Sequence, residues 1–239
     1  AEGKIDYFSD QGRVRAEVLI FAVNPARLRF DVVSPFGAML FSLTSNGKTF
    51  RMLDLKEKRF LYGPADGCNL ARLTQVPLEG HVLTSLLRGE APLLLHEPEA
   101  ATIDWVDGSY QVEVPSRHDA VQTIGLEVHE DDYAKPWAQQ RLRVVSLRTE
   151  QRGRLLYEAE MRNHEMARTA PARVDPDGLD PDIPPSGPVC QVEVPRSIRL
   201  RVSTTGDDVI VKYDSLALNP PLPDGAFSQV TPDGVGPEL

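Results

Sequence analysis

The sequence has few cysteines and no long apolar run, and each shortage excludes a class of site or protein. Only two cysteines occur in 239 residues, without CxxC spacing, so neither a zinc site nor an iron–sulfur site is supported. The longest apolar runs, such as residues 18–23, have the length of a strand, whereas a membrane-spanning helix needs about 18 apolar residues or more. The sequence therefore predicts no transmembrane helix.

Positive charge and aromatic residues are also scarce. Twenty-six Lys and Arg face 35 Asp and Glu, which gives a formal net charge of −9, and this balance argues against nucleic acid as a partner. Aromatic residues make up 7% of the chain although 41% of it is hydrophobic. Aliphatic side chains must therefore build most of the core.

The length fits one large all-β domain, because such domains reach roughly 200–250 residues. We therefore expect residues 1–239 to form a single domain. The chain starts at Ala1, inside a strand-like pattern. We expect residues upstream of it, where a signal peptide or a lipid-anchoring cysteine would lie.

Apolar and polar residues alternate along most of the chain, and this period of two predicts strands. The first two strands are predicted at residues 13–24 and 27–33, on either side of the Asn24-Pro25 break. Further strands are predicted at residues 39–44, 48–53, 56–62, 101–106, 109–114, 121–129, 141–149, 152–162, 190–203 and 208–216. So many short strands favour a single strongly curved antiparallel sheet or open barrel.

Two segments depart from the strand pattern. Residues 78–88 predict one amphipathic helix with a stripe of Val82, Leu83, Leu86 and Leu87, and Gly89 is placed to end it. Residues 163–189 contain six prolines, which exclude a helix or an interior strand. We expect this segment to be a mobile, acidic loop inserted within the domain.

Motifs for catalysis or cofactor binding are missing. The sequence has no G-x-S-x-G, HExxH, GxGxxG or P-loop motif, and we expect neither a cofactor nor a metal. Residues 129–132, His-Glu-Asp-Asp, are interpreted as a solvated turn. Asp175, Asp177, Asp180 and Asp182 resemble a calcium site in composition only.

The two cysteines, Cys68 and Cys190, leave two alternatives open. In an exported protein they could form one disulfide, whereas in a cytosolic protein both would more often be buried as small apolar residues.

The turn Pro35-Phe36-Gly37 is unusual because it places an aromatic side chain between two strands. One interpretation is a buried turn. The other is an exposed Phe36 that contacts a membrane or a partner, since turns lie at the surface.

Several segments carry a family resemblance. They are Arg13 to Val18, Arg27 to Gly37, Leu73 to Leu78, Leu83 to Gly89 and Ala217 to Phe227. Together they resemble the LolA/LolB family of periplasmic lipoprotein carriers, and within it most nearly the outer-membrane receptor LolB. Residues 163–189 have no counterpart in this pattern.

The resemblance implies an unclosed, strongly curved antiparallel β-barrel of about 11 strands with a helical lid. It also implies a non-enzymatic carrier or receptor that holds lipoprotein acyl chains in an apolar cavity and delivers them to the outer membrane. The implied cavity residues are Val14, Ala16, Val18, Ile20, Leu28, Phe30, Val32, Phe50, Met52, Phe60, Val82, Leu83, Leu86 and Leu87. The Pro35-Phe36-Gly37 turn is the implied membrane-insertion loop.

The implied partners are acylated lipoproteins, the inner leaflet of the outer membrane, and a LolA-type shuttle or an inner-membrane transporter. We expect a periplasmic monomer, anchored to the outer membrane through an N-terminal lipid and without nucleic acid. Two alternatives stay open. One is a lipid-binding sensor, or a carrier of another lipid, on the same scaffold. The other is a hydrolase whose carboxylates converge in the cavity.

Overall fold

A computed structural model describes residues 1–9, 12–34, 36–74, 78–179, 181–203, 206–230 and 237–238. Within these residues the chain forms fourteen strands and two α-helices. The strands are β1 (Glu2–Ser9), β2 (Gly12–Val23), β3 (Arg27–Val33), β4 (Met39–Asn46), β5 (Thr49–Asp54), β6 (Arg59–Pro64), β7 (Thr102–Val106), β8 (Ser109–Ser116), β9 (Ala120–Val128), β10 (Leu142–Gln151), β11 (Arg154–Arg168), β12 (Gln191–Val202), β13 (Asp207–Ser215) and β14 (Pro237–Glu238). The helices are α1 (Gly67–Thr74) and α2 (Gly80–Leu87).

All fourteen strands belong to one open, curled sheet in the order β14-β6-β5-β4-β3-β2-β1-β13-β12-β11-β10-β9-β8-β7. Neighbouring strands are antiparallel, except for the short parallel pair of β14 and β6. The strands at the two ends of this order, β14 and β7, are not neighbours, so the barrel is unclosed. The predicted fold class is confirmed.

Strand β1 joins the two halves of the sheet. It pairs with β2 on one side and with β13 on the other, near the opposite end of the chain. The sequence predicted a strand-like start of the chain but no bounds for this strand. Gly3 is needed there, since an added Cβ would lie 2.1 Å from the carbonyl oxygen of Lys212.

The predicted loop at residues 163–189 begins too early and ends about where expected. Strand β11 continues to Arg168, and its last residues pair with β12 from His164↔Pro195 to Arg168↔Gln191. Polar residues hide the alternation there, although Ala167 is buried. The loop proper lies between Arg168 and Gln191, and in it Arg173 and Ile183 exchange two backbone hydrogen bonds of 2.9 Å. Its mobility stays a prediction.

Helix α2 lies within the predicted helix at residues 78–88, and Gly89 follows it with φ of 78°. Leu83 and Leu86 are buried where the helix packs against β2 and β3. Helix α1 was not predicted. Among the described residues, no helix is long and apolar enough to cross a bilayer.

The apolar core lies between α2 and the concave face of the sheet. On β12, Ile198, Leu200 and Val202 point into it, while Arg199 and Arg201 point outward and pair with Asp208 and Glu158. This alternation is the one that the sequence predicted. It gives the sheet an apolar inner face and a charged outer face.

We predict that Gly89→Ala destabilises the protein by more than the usual cost of a left-handed alanine. That cost is roughly 1–2 kcal/mol, and here the new Cβ would also lie 2.3 Å from Cδ of Pro195 on β12. Urea unfolding would measure the free energy of unfolding. Gly108→Ala is the matched control, because Gly108 has φ of 85° and nothing within 4 Å of an added Cβ. Equal losses in the two variants would show that Gly89 does not hold α2 against β12.

Candidate functional site

A wholly apolar cavity lies beneath α2. Its volume is about 50 Å³, and side chains from the helix and from both halves of the sheet surround it. The lining residues are Ile5, Leu28, Phe30, Leu83, Leu86, Leu87, Ile198, Leu200, Val209 and Val211. No polar side chain is among them, so the cavity can accept only apolar groups.

The strand register brings distant segments of the chain to this cavity. Ile5 on β1 lies opposite Val211 on β13, which in turn lies opposite Ile198 on β12. Because side chains on adjacent strands at paired positions share a face, these three form one apolar row across the sheet. On β3, Leu28 and Phe30 continue the same surface.

The C-terminal end of α2 is fixed to the sheet by a partly buried hydrogen bond. The hydroxyl of Tyr213 on β13 donates to the carbonyl oxygen of Leu87 over 2.8 Å. Burial raises the pKa of Tyr213 above its ordinary value, so the hydroxyl stays protonated and remains a donor. At the N-terminal end, the side chain of Glu79 makes no capping bond. The helix is therefore held mainly by apolar contacts and by its C-terminal end.

The structure brings together only part of the predicted cavity. Leu28, Phe30, Leu83, Leu86 and Leu87 line it. The other predicted residues lie elsewhere: Val18, Ile20, Phe50, Met52 and Phe60 are buried in the core, and Ala16, Val32 and Val82 are half-buried. Val14 is 59% exposed, because the first residues of β2 extend beyond the core.

Half of the residues that line the cavity were not predicted as site residues. These residues are Ile5, Ile198, Leu200, Val209 and Val211. The alternation of β12 and β13 was visible in the sequence and could have nominated four of them. What it could not show was that β13 pairs with β1 and β12 with β13, which brings both strands to the cavity.

Phe36 is exposed, so the interpretation of a buried turn is wrong. Its side chain is 98% exposed, in a turn where Gly37 has φ of 78° and donates to the carbonyl oxygen of Ser34 over 2.8 Å. Pro35 lies outside the described residues. Leu40 and Leu55, whose backbones hydrogen-bond, are exposed at the same end of the sheet. The result is an apolar tip.

Basic residues stand beside this tip. The turn between β5 and β6 carries Lys56, Glu57 and Lys58, all exposed, and the exposed Arg59 begins β6. Arg59 is paired with Asp54 at 3.7 Å. An apolar tip with adjacent lysines is the composition of a surface that binds anionic membranes.

The cysteines do not pair. Cys68 and Cys190 are both free and exposed, so neither the disulfide nor the alternative of two buried thiols holds. Cys68 lies on α1, whereas Cys190 immediately precedes β12, and the sequence carried no signal for this separation.

The acidic clusters are structural. Asp132 is fully buried, and Arg141 and Lys135 donate to its carboxylate. These donors hold the pKa of Asp132 well below its usual range. The predicted solvated turn at residues 129–132 is wrong for His129 and Asp132, which are buried, whereas Glu130 and Asp131 are exposed. In the long loop, Asp175 and Asp182 accept backbone hydrogen bonds, and Asp180 lies outside the described residues. In the described ranges, no three His, Cys, Asp or Glu converge on a metal position.

Solved structures share this fold, although no family model and no curated protein matches the chain. A structure described as an outer membrane lipoprotein-sorting protein domain from Vibrio parahaemolyticus aligns over 95% of this chain and 87% of its own, at 11% identity and a TM-score of 0.51. A LolA superfamily protein from Nitrosomonas europaea aligns over 95% and 89%, at 11% identity and a TM-score of 0.51. A DUF1329 family protein from Desulfovibrio piger aligns over 95% and 88%, at 12% identity and a TM-score of 0.52. At these identities the likeness shows a LolA-like fold.

We predict that Tyr213→Phe loosens the end of α2. Loss of the bond to Leu87 should lower the free energy of unfolding by about 1 kcal/mol, and amide hydrogens of α2 should exchange faster. Hydrogen exchange followed by mass spectrometry measures both. Tyr110→Phe, which removes a 2.9 Å bond to Gln140 far from the helix, is the control. Unchanged exchange in α2 would contradict the role of Tyr213 as its anchor.

Proposed function

We propose that the protein is a carrier or receptor that binds the acyl chains of lipoproteins beneath α2 and delivers them to the outer membrane. The observation that carries the proposal is the apolar cavity, whose lining has no polar side chain and is closed on one side by a short helix. The LolA-like fold and the lipoprotein-sorting description of one structural neighbour support it.

Alkyl chains can gain enough free energy from this surface to displace the helix. A cavity of about 50 Å³ has less than twice a water molecule's share of the liquid, roughly 30 Å³. A bound chain therefore requires α2 to move outward. Each methylene removed from water contributes about 0.8 kcal/mol, so a long chain offsets the helix contacts that it replaces.

The proposal is non-enzymatic. Hydrolysis in the cavity would need a carboxylate, hydroxyl, thiol or imidazole among the lining residues, and the lining consists of aliphatic side chains and one Phe. The hydrolase alternative therefore has no support in this cavity.

Delivery is assigned to the apolar tip at Phe36. Burial of an exposed phenylalanine in the membrane contributes about 1.5–3 kcal/mol, and each lysine near an anionic surface adds about 1 kcal/mol. We propose that Phe36, Lys56 and Lys58 together hold this end of the sheet on the inner leaflet of the outer membrane. A LolA-type shuttle would then supply the lipoprotein in the periplasm.

We predict that the purified protein binds a triacylated lipopeptide and that Leu87→Gln weakens binding. Leu87 lines the cavity at the end of α2, and a polar amide there should weaken affinity by about tenfold or more, since roughly 1.4 kcal/mol corresponds to tenfold. Native mass spectrometry and fluorescence titration measure this. Val82→Gln is the control, because Val82 is on the same helix and outside the lining.

Two results would contradict the binding role of the cavity. One is no binding of the lipopeptide by the unmodified protein. The other is an equal loss of affinity in Leu87→Gln and Val82→Gln, which would indicate a general effect on the helix.

We predict that Phe36→Glu leaves folding intact and abolishes transfer of bound lipopeptide to anionic vesicles. A charge at the tip opposes insertion, whereas the side chain makes no buried contacts to lose. Leu179→Glu is the control, since Leu179 is 87% exposed in the loop before β12. Transfer at the unmodified rate by Phe36→Glu would rule out insertion of this tip.

A further inference from the structure

A second, larger cleft opens at the C-terminal end of α2. Its volume is about 590 Å³, roughly twenty times a water molecule's share of the liquid. Leu87 lines both this cleft and the apolar cavity. The end of the helix is therefore the boundary between the two spaces.

The cleft differs from the cavity in chemical character. Apolar residues such as Ala91, Val144 and Leu218 line part of it, while other parts carry arginines, carboxylates and His164. It can therefore contact methylenes on one side and hydrogen-bonding groups on the other.

Two of the three arginines that line the cleft are neutralised by carboxylates of the cleft. Arg143 makes two bonds to Glu193, of 2.6 and 3.2 Å, and Arg88 binds Glu90 at 2.7 Å. Arg27 lies over the ring of Phe227, 5.2 Å from its centroid. Such a lining favours an uncharged polar group over a phosphate, which would need several arginines or lysines that are not already paired.

The loop between β11 and β12 forms one wall and is tied to the C-terminal segment. The backbone N–H of Cys190 donates to Oγ1 of Thr169 over 2.8 Å, and Asn219 donates to the carbonyl oxygen of Pro188 over 2.8 Å. Gly187 packs so closely on Asn219 that an added Cβ would lie 2.8 Å from Cγ. The cleft is thus preformed, and its wall comes from the segment that the family resemblance does not cover.

We propose that this cleft binds the ester- and amide-bearing end of an acylated ligand whose alkyl chains occupy the cavity. The inference rests on the proposed function. Ester and amide groups that entered the apolar cavity without partners would each cost about 2–7 kcal/mol, so they must stay outside it. The cleft is the adjoining space that offers both apolar contacts and hydrogen bonds. The alkyl chains accordingly pass Leu87 between the cleft and the cavity. The polar end of the ligand remains against the β11–β12 loop.

The two cysteines allow a direct test in this chain. Cys190 lines the cleft, whereas Cys68 is exposed on α1 and outside the lining. In Cys68→Ser protein, a saturating tripalmitoylated cysteine–serine dipeptide should protect Cys190 from alkylation by a maleimide. In Cys190→Ser protein, the same ligand should leave alkylation of Cys68 unchanged.

A second measurement blocks the cleft reversibly. Coupling a bulky thiol to Cys190 through a mixed disulfide should abolish lipopeptide binding, and reduction should restore it. The same modification at Cys68 should have no effect. Recovery on reduction separates occlusion of the cleft from misfolding.

Repeating the protection experiment with a phospholipid distinguishes the source of the polar group. Protection of Cys190 by the dipeptide alone supports an acylated peptide, and protection by phosphatidylglycerol as well supports the glyceryl diester that the two share. If the lipopeptide binds while Cys190 still reacts fully with the maleimide, the cleft site is overturned and the proposed function stands. Absence of any lipopeptide binding would overturn both.

Discussion

The apolar contact between α2 and the concave face of the sheet is the interaction on which the rest of this structure depends. An isolated helix of eight residues is unstable in water, so packing of Leu83 and Leu86 on the sheet must hold it in place. The same contact shields Leu28 and Val211 from water. If the helix moves away from the sheet, another apolar group has to cover the apolar face beneath it. The proposed ligand is such a group.

This arrangement needs the unusual position of β1. By pairing with β2 and β13, β1 places the N-terminal strands beside the C-terminal ones. It thereby completes the apolar face of the sheet beneath the helix. Tyr213 on β13 and Pro195 on β12 then fix the C-terminal end of α2. One end of the sheet carries the exposed Phe36, while the helix end borders the larger cleft. The proposed membrane surface and the proposed ligand site are thus on separate parts of one sheet.

Local patterns predicted much of this fold, because they depend on neighbours in the chain. The alternation of Leu28 and Phe30 with arginines predicted both a strand and its inner face, and the stripe ending at Gly89 predicted the helix. The cavity was predicted only in part, since its lining depends on pairing between residues about 200 positions apart, such as Ile5 and Val211. Burial of Asp132 was missed for a similar reason: its partner Arg141 lies beyond a turn that reads as solvated.

The central claim is that α2 and the ligand alternately cover the same apolar face of the sheet. Electron–electron double resonance tests it most directly, with spin labels on cysteines replacing His81 on α2 and Glu17 on β2, both exposed, in protein lacking Cys68 and Cys190. Addition of a triacylated lipopeptide should lengthen the distance between the labels and broaden its distribution. An unchanged distance in protein that carries the bound lipopeptide would contradict the account.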